Sequence, residues 1–248
     1  MNCKSKFLWI STSPSLKYFH RRLLNNLSKT VEIELWEYYH TLDEGSSSDS
    51  AIKLLREYLQ DHDQPVHLIG HGIGGTIALG YARLYPAQIA SLVLLSVAVQ
   101  PAINWHSYYY TQLRCLPSSR DCILRSITLN LFPYSCCSHI HGLVERLKQD
   151  LLESPSNHSL FQLNILAEGA VEMPLMICGS QDDPVVTTSS LSGWTHYFKS
   201  SDRIWQAPEG GHFFHHFRSD LLSHQIQHFW QKLEPEILSD QLMYAEFN

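Results

Sequence analysis

The sequence predicts an α/β fold: a mostly parallel sheet flanked by helices, with a helical cap inserted into a single domain. Three observations carry that expectation. Short apolar runs of strand length alternate with amphipathic segments of helical period. One such run leads straight into a glycine-rich turn and a helical pattern, over "VHLIGHGIGGTIALGYARLYP", residues 66–86. The alternation lapses between about Val99 and Glu172 and then resumes.

In chain order, "KFLWIS" reads as a strand, "SLKYFHRRLLNNL" as a helix and "TVEIELWEY" as a strand. The serine-rich loop "DEGSSSDS" precedes a helix, "AIKLLREYLQDH". Then come the buried strand "VHLI", the glycine turn, a helix ending at Tyr85-Pro86, and the strand "SLVLLSV". The next stretch is helical, aromatic and cysteine-bearing, and residues 99–168 are expected to form the cap between core segments 1–98 and 169–248. The strand "MPLMICGS", a helix near 187–197, the strand "DRIWQAP" and the helix "SDLLSHQIQHFWQKL" complete the core.

Bulk properties narrow the function classes. A chain of 248 residues can bury one sizeable core. A net charge of −6 with no long basic run argues against a nucleic-acid surface. The opening apolar run turns polar too soon for a signal peptide, and "ASLVLLSVAV" has about half the residues a membrane span needs. Six cysteines without a secretion signal do not make a disulfide framework, so a reduced, cytoplasmic protein is expected. The 15 histidines are an unusual number and add positive charge below about pH 6.5.

Two motifs are superimposed in residues 66–86. Gly70-x-Gly72-x-x-Gly75 matches the dinucleotide fingerprint, which needs an acidic residue roughly 20 positions later to hold a ribose. Between Gln64 and Arg120 there is neither Asp nor Glu, and the glycines follow the third strand rather than the first. Gly70-His71-Gly72-Ile73-Gly74 matches a nucleophile elbow with glycine in place of serine. The loops that an elbow requires follow in order. "CGSQDDPVV" sets Asp182 and Asp183 after one strand, and "APEGGHFFHHF" sets His212 after the last.

From "KFLWISTSP" through "GHGIGGTIALGYARLYP" and "GSQDDPVV" to "GGHF", the chain resembles the α/β-hydrolase superfamily. The resemblance implies an α/β-hydrolase fold with Gly72 at the nucleophile position, where no hydroxyl is available and no acyl-enzyme forms. It implies an acid at Asp182 or Asp183 and a base at His212. The spacing from Gly179 favours Asp182, and the following Pro-Val-Val favours Asp183. The backbone N–H groups of Ser13 and Ile73 would form the oxyanion hole, although Ser11-Thr12 stands where the family usually has His-Gly. His71 would point away from the nucleophile site.

Other residues invite attention. Trp105 and Tyr108, Tyr109 and Tyr110 would line an apolar pocket under the cap or present a protein-binding patch, with core packing the default for at least half of them. Cys136, Cys137, His139 and His141 fall within six residues, with Cys115 and Cys122 upstream, yet no metal-site spacing is present and no metal is expected. His212 and His216 repeat an i,i+4 spacing, as do His224 and His228, the latter on a helix face expected beside the sheet. Cys178 reads as core.

The favoured functional reading is a noncatalytic hydrolase-fold protein that binds a small apolar ligand or a protein partner, with no cofactor. A second is an enzyme that uses the His–Asp pair without a serine, of lyase or cofactor-free type. A third is an esterase-like hydrolase whose serine has been replaced in this sequence.

Overall fold

The computed structural model describes residues 6–40, 47–135, 137–156, 158, 159, 161, 163 and 165–233, with the side chain of Cys137 outside that set. The first half of the core runs β1 (Lys6–Ser11), α1 (Arg21–Leu27), β2 (Ile33–Glu37), α2 (Ser48–Leu59), β3 (Val66–His71), α3 (Gly72–Leu84) and β4 (Ile89–Leu95). A 3-10 turn over Pro14–His20 links β1 to α1. Three helices, α4 (Trp105–Cys115), α5 (Arg120–Leu131) and α6 (Ile140–Glu153), form the insertion. The core resumes with β5 (Leu175–Ser180), α7 (Thr188–Ser192), β6 (Arg203–Ala207), α8 (Phe214–Phe217) and α9 (Ser219–Leu233).

The six strands pair in the order β2-β1-β3-β4-β5-β6, and every pair is parallel. Both faces are therefore covered, and the strands carry apolar side chains on each face. Phe7, Trp9, Ile69, Val93 and Met176 face α1 and α9, where Leu23, Leu27, Leu222, Ile226, Phe229 and Trp230 meet them. Their neighbours Leu8, Ile10, Leu68, Leu92 and Leu94 face α2, α3 and the insertion. This alternation by two is the pleat of each strand.

The strand order reverses between β1 and β3, so connections leave these two strands in opposite directions and open a crevice beyond their carboxyl ends. Gly72 follows β3, Ser96 follows β4, Asp183 follows β5 and His212 follows β6. Thr12 and Ser13 follow β1. Every loop that matters to the site leaves the same sheet edge.

The β3–α3 junction is held by backbone contact. A Cβ on Gly70 would lie 2.7 Å from both the backbone N and the Cα of Gly75, and one on Gly74 would lie 2.5 Å from the Ile10 carbonyl oxygen. Strand and helix approach each other more closely than any side chain would permit. The glycine spacing that mimics a dinucleotide fingerprint is thus explained by packing. Gly70→Ala is expected to overpack this junction and lower stability by about 1–3 kcal/mol, read as a fall in the urea midpoint with an unchanged slope.

Candidate functional site

Gly72 begins α3 with φ +52°, in the left-handed region where glycine carries no Cβ penalty. Apart from its chain neighbours and its own helix, one heavy atom lies within 4 Å of where its Cβ would stand: His212 Nε2, at 3.9 Å. The elbow conformation is present, with an imidazole nitrogen facing the position a hydroxyl would occupy.

His212 is fully buried, and its Nδ1 donates to Asp183 Oδ2 at 3.0 Å and Oδ1 at 3.2 Å. Asp183 is itself buried and accepts the backbone N–H groups of Val185 and Val186 on Oδ1. Ser96 adds a hydroxyl within 3.0 Å of Asp183 Oδ2 and 3.2 Å of the His212 carbonyl, which share its single proton. Ser96 does so from φ +49°, a strained conformation for a non-glycine residue. With Nδ1 donating, His212 Nε2 carries the lone pair; it is buried and has no protein partner.

Asp182, the other aspartate, points elsewhere. It accepts the Gly211 and Gly210 N–H groups at 2.8 and 3.3 Å, together with the hydroxyls of Ser180 and Tyr134. Partial burial pushes its pKa up, but these four donors outweigh burial and hold the carboxylate below its usual range. The two glycines, at φ +138° and +62°, let consecutive N–H groups converge on one carboxylate. Asp182 therefore anchors the loop that delivers His212, and Asp183 contacts the imidazole.

A cavity of about 10 Å3, room for about one water, lies over Gly72. Ile10, Leu16, Ile73, Trp105 and Phe213 wall it, and Thr12, Ser13, His20, His71 and His212 reach it. Of the four aromatic residues expected to form a ligand pocket, Trp105 lines this space. Tyr108, Tyr109 and Tyr110 do not: Tyr109 is buried, and the other two pack half-buried against the same core as α5. A larger cavity of about 200 Å3 lies beside Val66 at the opposite, amino-terminal end of β3, away from the His212–Asp183 pair.

The insertion is tied to the turn after β1 by a buried network that the sequence did not disclose. Asp150 on α6 is fully buried and accepts Trp105 Nε1 at 2.8 Å, with His106 Nε2 at 3.1 Å on the same oxygen. Its other oxygen and the Thr12 carbonyl share the Ser154 hydroxyl, at 2.7 and 2.9 Å. Because the Ser154 proton is thus used, the Ser13 hydroxyl, 2.9 Å away, donates to Ser154.

His71 reaches the main chain of the histidine loop, its Nε2 donating to the His212 carbonyl at 3.0 Å, and it also borders the cavity over Gly72 that it was expected to point away from. His216 packs on Tyr18 and Phe19 with ring centroids 5.3 and 5.2 Å apart. His224 and His228 are exposed, which corrects the expectation of a face beside the sheet; Leu222, Ile226, Phe229 and Trp230 take that stripe. Cys178 is buried in the core, where burial raises its thiol pKa. Cys115 and Cys122 are exposed free thiols, His139 and His141 are exposed, and Cys136 lies outside the described residues.

Comparison with known proteins agrees with this architecture. Residues 47–219 match the family described as alpha/beta hydrolase fold. The chain belongs to the α/β-hydrolase fold family. This α/β-hydrolase-fold chain is 47% identical over 224 residues to the uncharacterized protein alr2406 of Nostoc sp. strain PCC 7120, covering 90% of each. It is 37% identical over 231 residues to the uncharacterized protein sll0249 of Synechocystis sp. strain PCC 6803, covering 93% of this chain and 92% of that one. The crystal structure of a bromoperoxidase from Bacillus anthracis superposes with a TM-score of 0.70 at 14% identity, covering 92% of both chains. No helix among the described residues is long and apolar enough to cross a membrane.

Two predictions follow from the site's electrostatics. Asp150→Ala strands two buried donors, Trp105 Nε1 and His106 Nε2, while Ser154 keeps the Thr12 carbonyl. It is expected to cost about 3–5 kcal/mol, measured by urea denaturation against Asp150→Asn, which keeps one acceptor and costs less. Burial also drives the pKa of His20 down to about 4, and those of His71 and His215 well below their usual value. The unfolded chain then binds more protons than the native one below pH 6.5, so stability is complete above that pH and falls on acidification. His20 alone withdraws about 3 kcal/mol by pH 4. Thermal unfolding from pH 7.5 to pH 4, in buffer containing a chelator, should show the midpoint falling across that window.

Proposed function

We propose that this α/β-hydrolase-fold chain is a serine-less binding protein whose cleft takes a small apolar ligand and performs no acyl transfer. The observation that carries the reading is Gly72. Its left-handed backbone and the facing His212 Nε2 are arranged around a position with no hydroxyl. No covalent acyl intermediate forms at residue 72 without one. The hydroxyls of Ser13 and Ser96 are committed, to Ser154 and to the Asp183–His212 unit, whereas that of Thr12, which also reaches the cavity, is buried without a partner.

Ile10, Leu16, Ile73, Trp105 and Phe213 give the cleft an apolar wall. A ligand carbonyl would meet the backbone N–H groups of Ser13 and Ile73 on one side and His212 on another. Anything larger than a water has to displace part of this wall. The free thiols of Cys115, Cys122 and Cys178 fit a reducing, cytoplasmic setting.

A second reading rests on the partnerless lone pair of His212 Nε2. Oriented by Asp183, it is placed to take a proton from a small substrate without a covalent step, as in lyase or cofactor-free chemistry. Under this reading His212→Ala abolishes a turnover that wild type performs; under the first, wild type performs none.

The deciding assay measures p-nitrophenyl acetate hydrolysis by wild type, Gly72→Ser, and Gly72→Ser combined with His212→Ala. Serine at residue 72 incurs about 1–3 kcal/mol of backbone strain, yet its Cβ would stand 3.9 Å from His212 Nε2, which puts its hydroxyl oxygen near that nitrogen. Wild type is expected to show only background. Gly72→Ser should turn over, and adding His212→Ala should lower that rate by roughly a hundredfold or more. Wild-type turnover equal to that of Gly72→Ser overturns the binding-protein reading.

A further inference from the structure

Three histidines from three separate elements meet behind the elbow. His20 ends the turn after β1, His71 ends β3, and His215 lies in α8. One ring nitrogen of each lies within 4.8 Å of those of the other two. Ring centroids are 4.2 Å apart for His71 and His215, 5.3 Å for His20 and His215, and 6.0 Å for His20 and His71. Three imidazoles rarely converge in an interior, because each brings a donor and an acceptor that need partners.

The hydrogen bonds of this group are incomplete in a particular way. His71 Nε2 faces a carbonyl, which only accepts, so that nitrogen carries the proton and Nδ1 keeps its lone pair. A backbone carbonyl fixing the far nitrogen in this way is the usual support of a metal-ligating histidine. Both nitrogens of His215, fully buried, have no protein partner, and neither has Nδ1 of the buried His20. Trp9 packs against His20 and His215, at 4.9 and 6.4 Å between centroids, and shields the group from the far side.

We propose that His20, His71 and His215 form a three-histidine site for a divalent transition metal such as zinc, with water completing the coordination. Burial keeps all three imidazoles neutral, which is the ligating form. A purely nitrogen donor set suits zinc and its neighbours and disfavours magnesium and calcium, which take oxygen ligands. Tetrahedral zinc with bonds of about 2.0–2.1 Å sets its ligand nitrogens about 3.4 Å apart, so binding draws the three rings together by an ångström or so. His20 and His71 also border the one-water cavity over Gly72, which gives a coordinated water a place to enter. The inference does not depend on whether the cleft binds a ligand or performs chemistry.

The test uses the full chain without a histidine tag, carrying His224→Gln and His228→Gln to remove the exposed i,i+4 pair. After EDTA stripping and dialysis, zinc is titrated calorimetrically, and the zinc-loaded protein is examined by X-ray absorption. One equivalent should bind, with three imidazole nitrogens and one oxygen around the ion. His20→Gln, shown folded by circular dichroism, should weaken binding at least about tenfold. No stoichiometric binding overturns the proposal. So does sulfur ligation, which moves the ion to the cysteines, or a shell with fewer than three imidazoles. Because the ligand count is taken on protein with all three histidines present, it stands even if His20→Gln fails to fold.

Discussion

Everything in the site hangs on how closely β3 and α3 approach each other. With Gly70 against Gly75, and Gly74 against the Ile10 carbonyl, the chain turns from strand to helix without the width of a single methyl group to spare. Beside that contact Gly72 takes up the left-handed region and Ile73 stands at the first turn of a helix, where its N–H is not needed for helical hydrogen bonding. It also fixes β1 beside β3, so that Thr12 and Ser13 emerge at the same level. A looser junction would carry each of these groups off by a different amount. The side chain missing at residue 72 leaves the turn intact because backbone packing, not that side chain, defines it.

Adjacent aspartates show how a scaffold divides labour between like groups. Asp183 faces inward and meets His212, with Ser96 and two backbone N–H groups taking up its remaining acceptor capacity. Asp182 faces outward and grips the loop that carries His212. One carboxylate thus orients the imidazole and the other positions its backbone. The double-glycine turn makes the second task feasible, since few residues other than glycine aim two successive amides at one acceptor.

Much of this was legible in the sequence because it lies in local patterns. Apolar runs marked the strands, Gly72 marked the elbow, and the order of the Asp182–Asp183 and His212 loops marked the sheet edge they share. Periodicity could not separate Asp182 from Asp183, since neighbours in a turn point in opposite directions and spacing rules favoured each in turn. Nor could it reveal Asp150. Its partners Trp105 and His106 lie more than forty residues away, and an aspartate in an amphipathic helix reads as surface. Tyr108–Tyr110 illustrate the converse: an aromatic run looks like a pocket lining, but packing between α4 and α5 absorbs it. His20, His71 and His215 carry no shared spacing, because the sheet alone brings them together.

The Asp150 network has a mechanical meaning. One carboxylate holds Trp105, a wall of the cleft, and through Ser154 it also holds Thr12 and Ser13, in the turn that borders the same cleft. Entrance and floor are therefore coupled as a door is to its frame. A molecule that pushes Trp105 aside must either break the Asp150 contacts or drag the turn after β1 along with them. Access to the cleft and the placement of the turn that borders it then behave as a single degree of freedom.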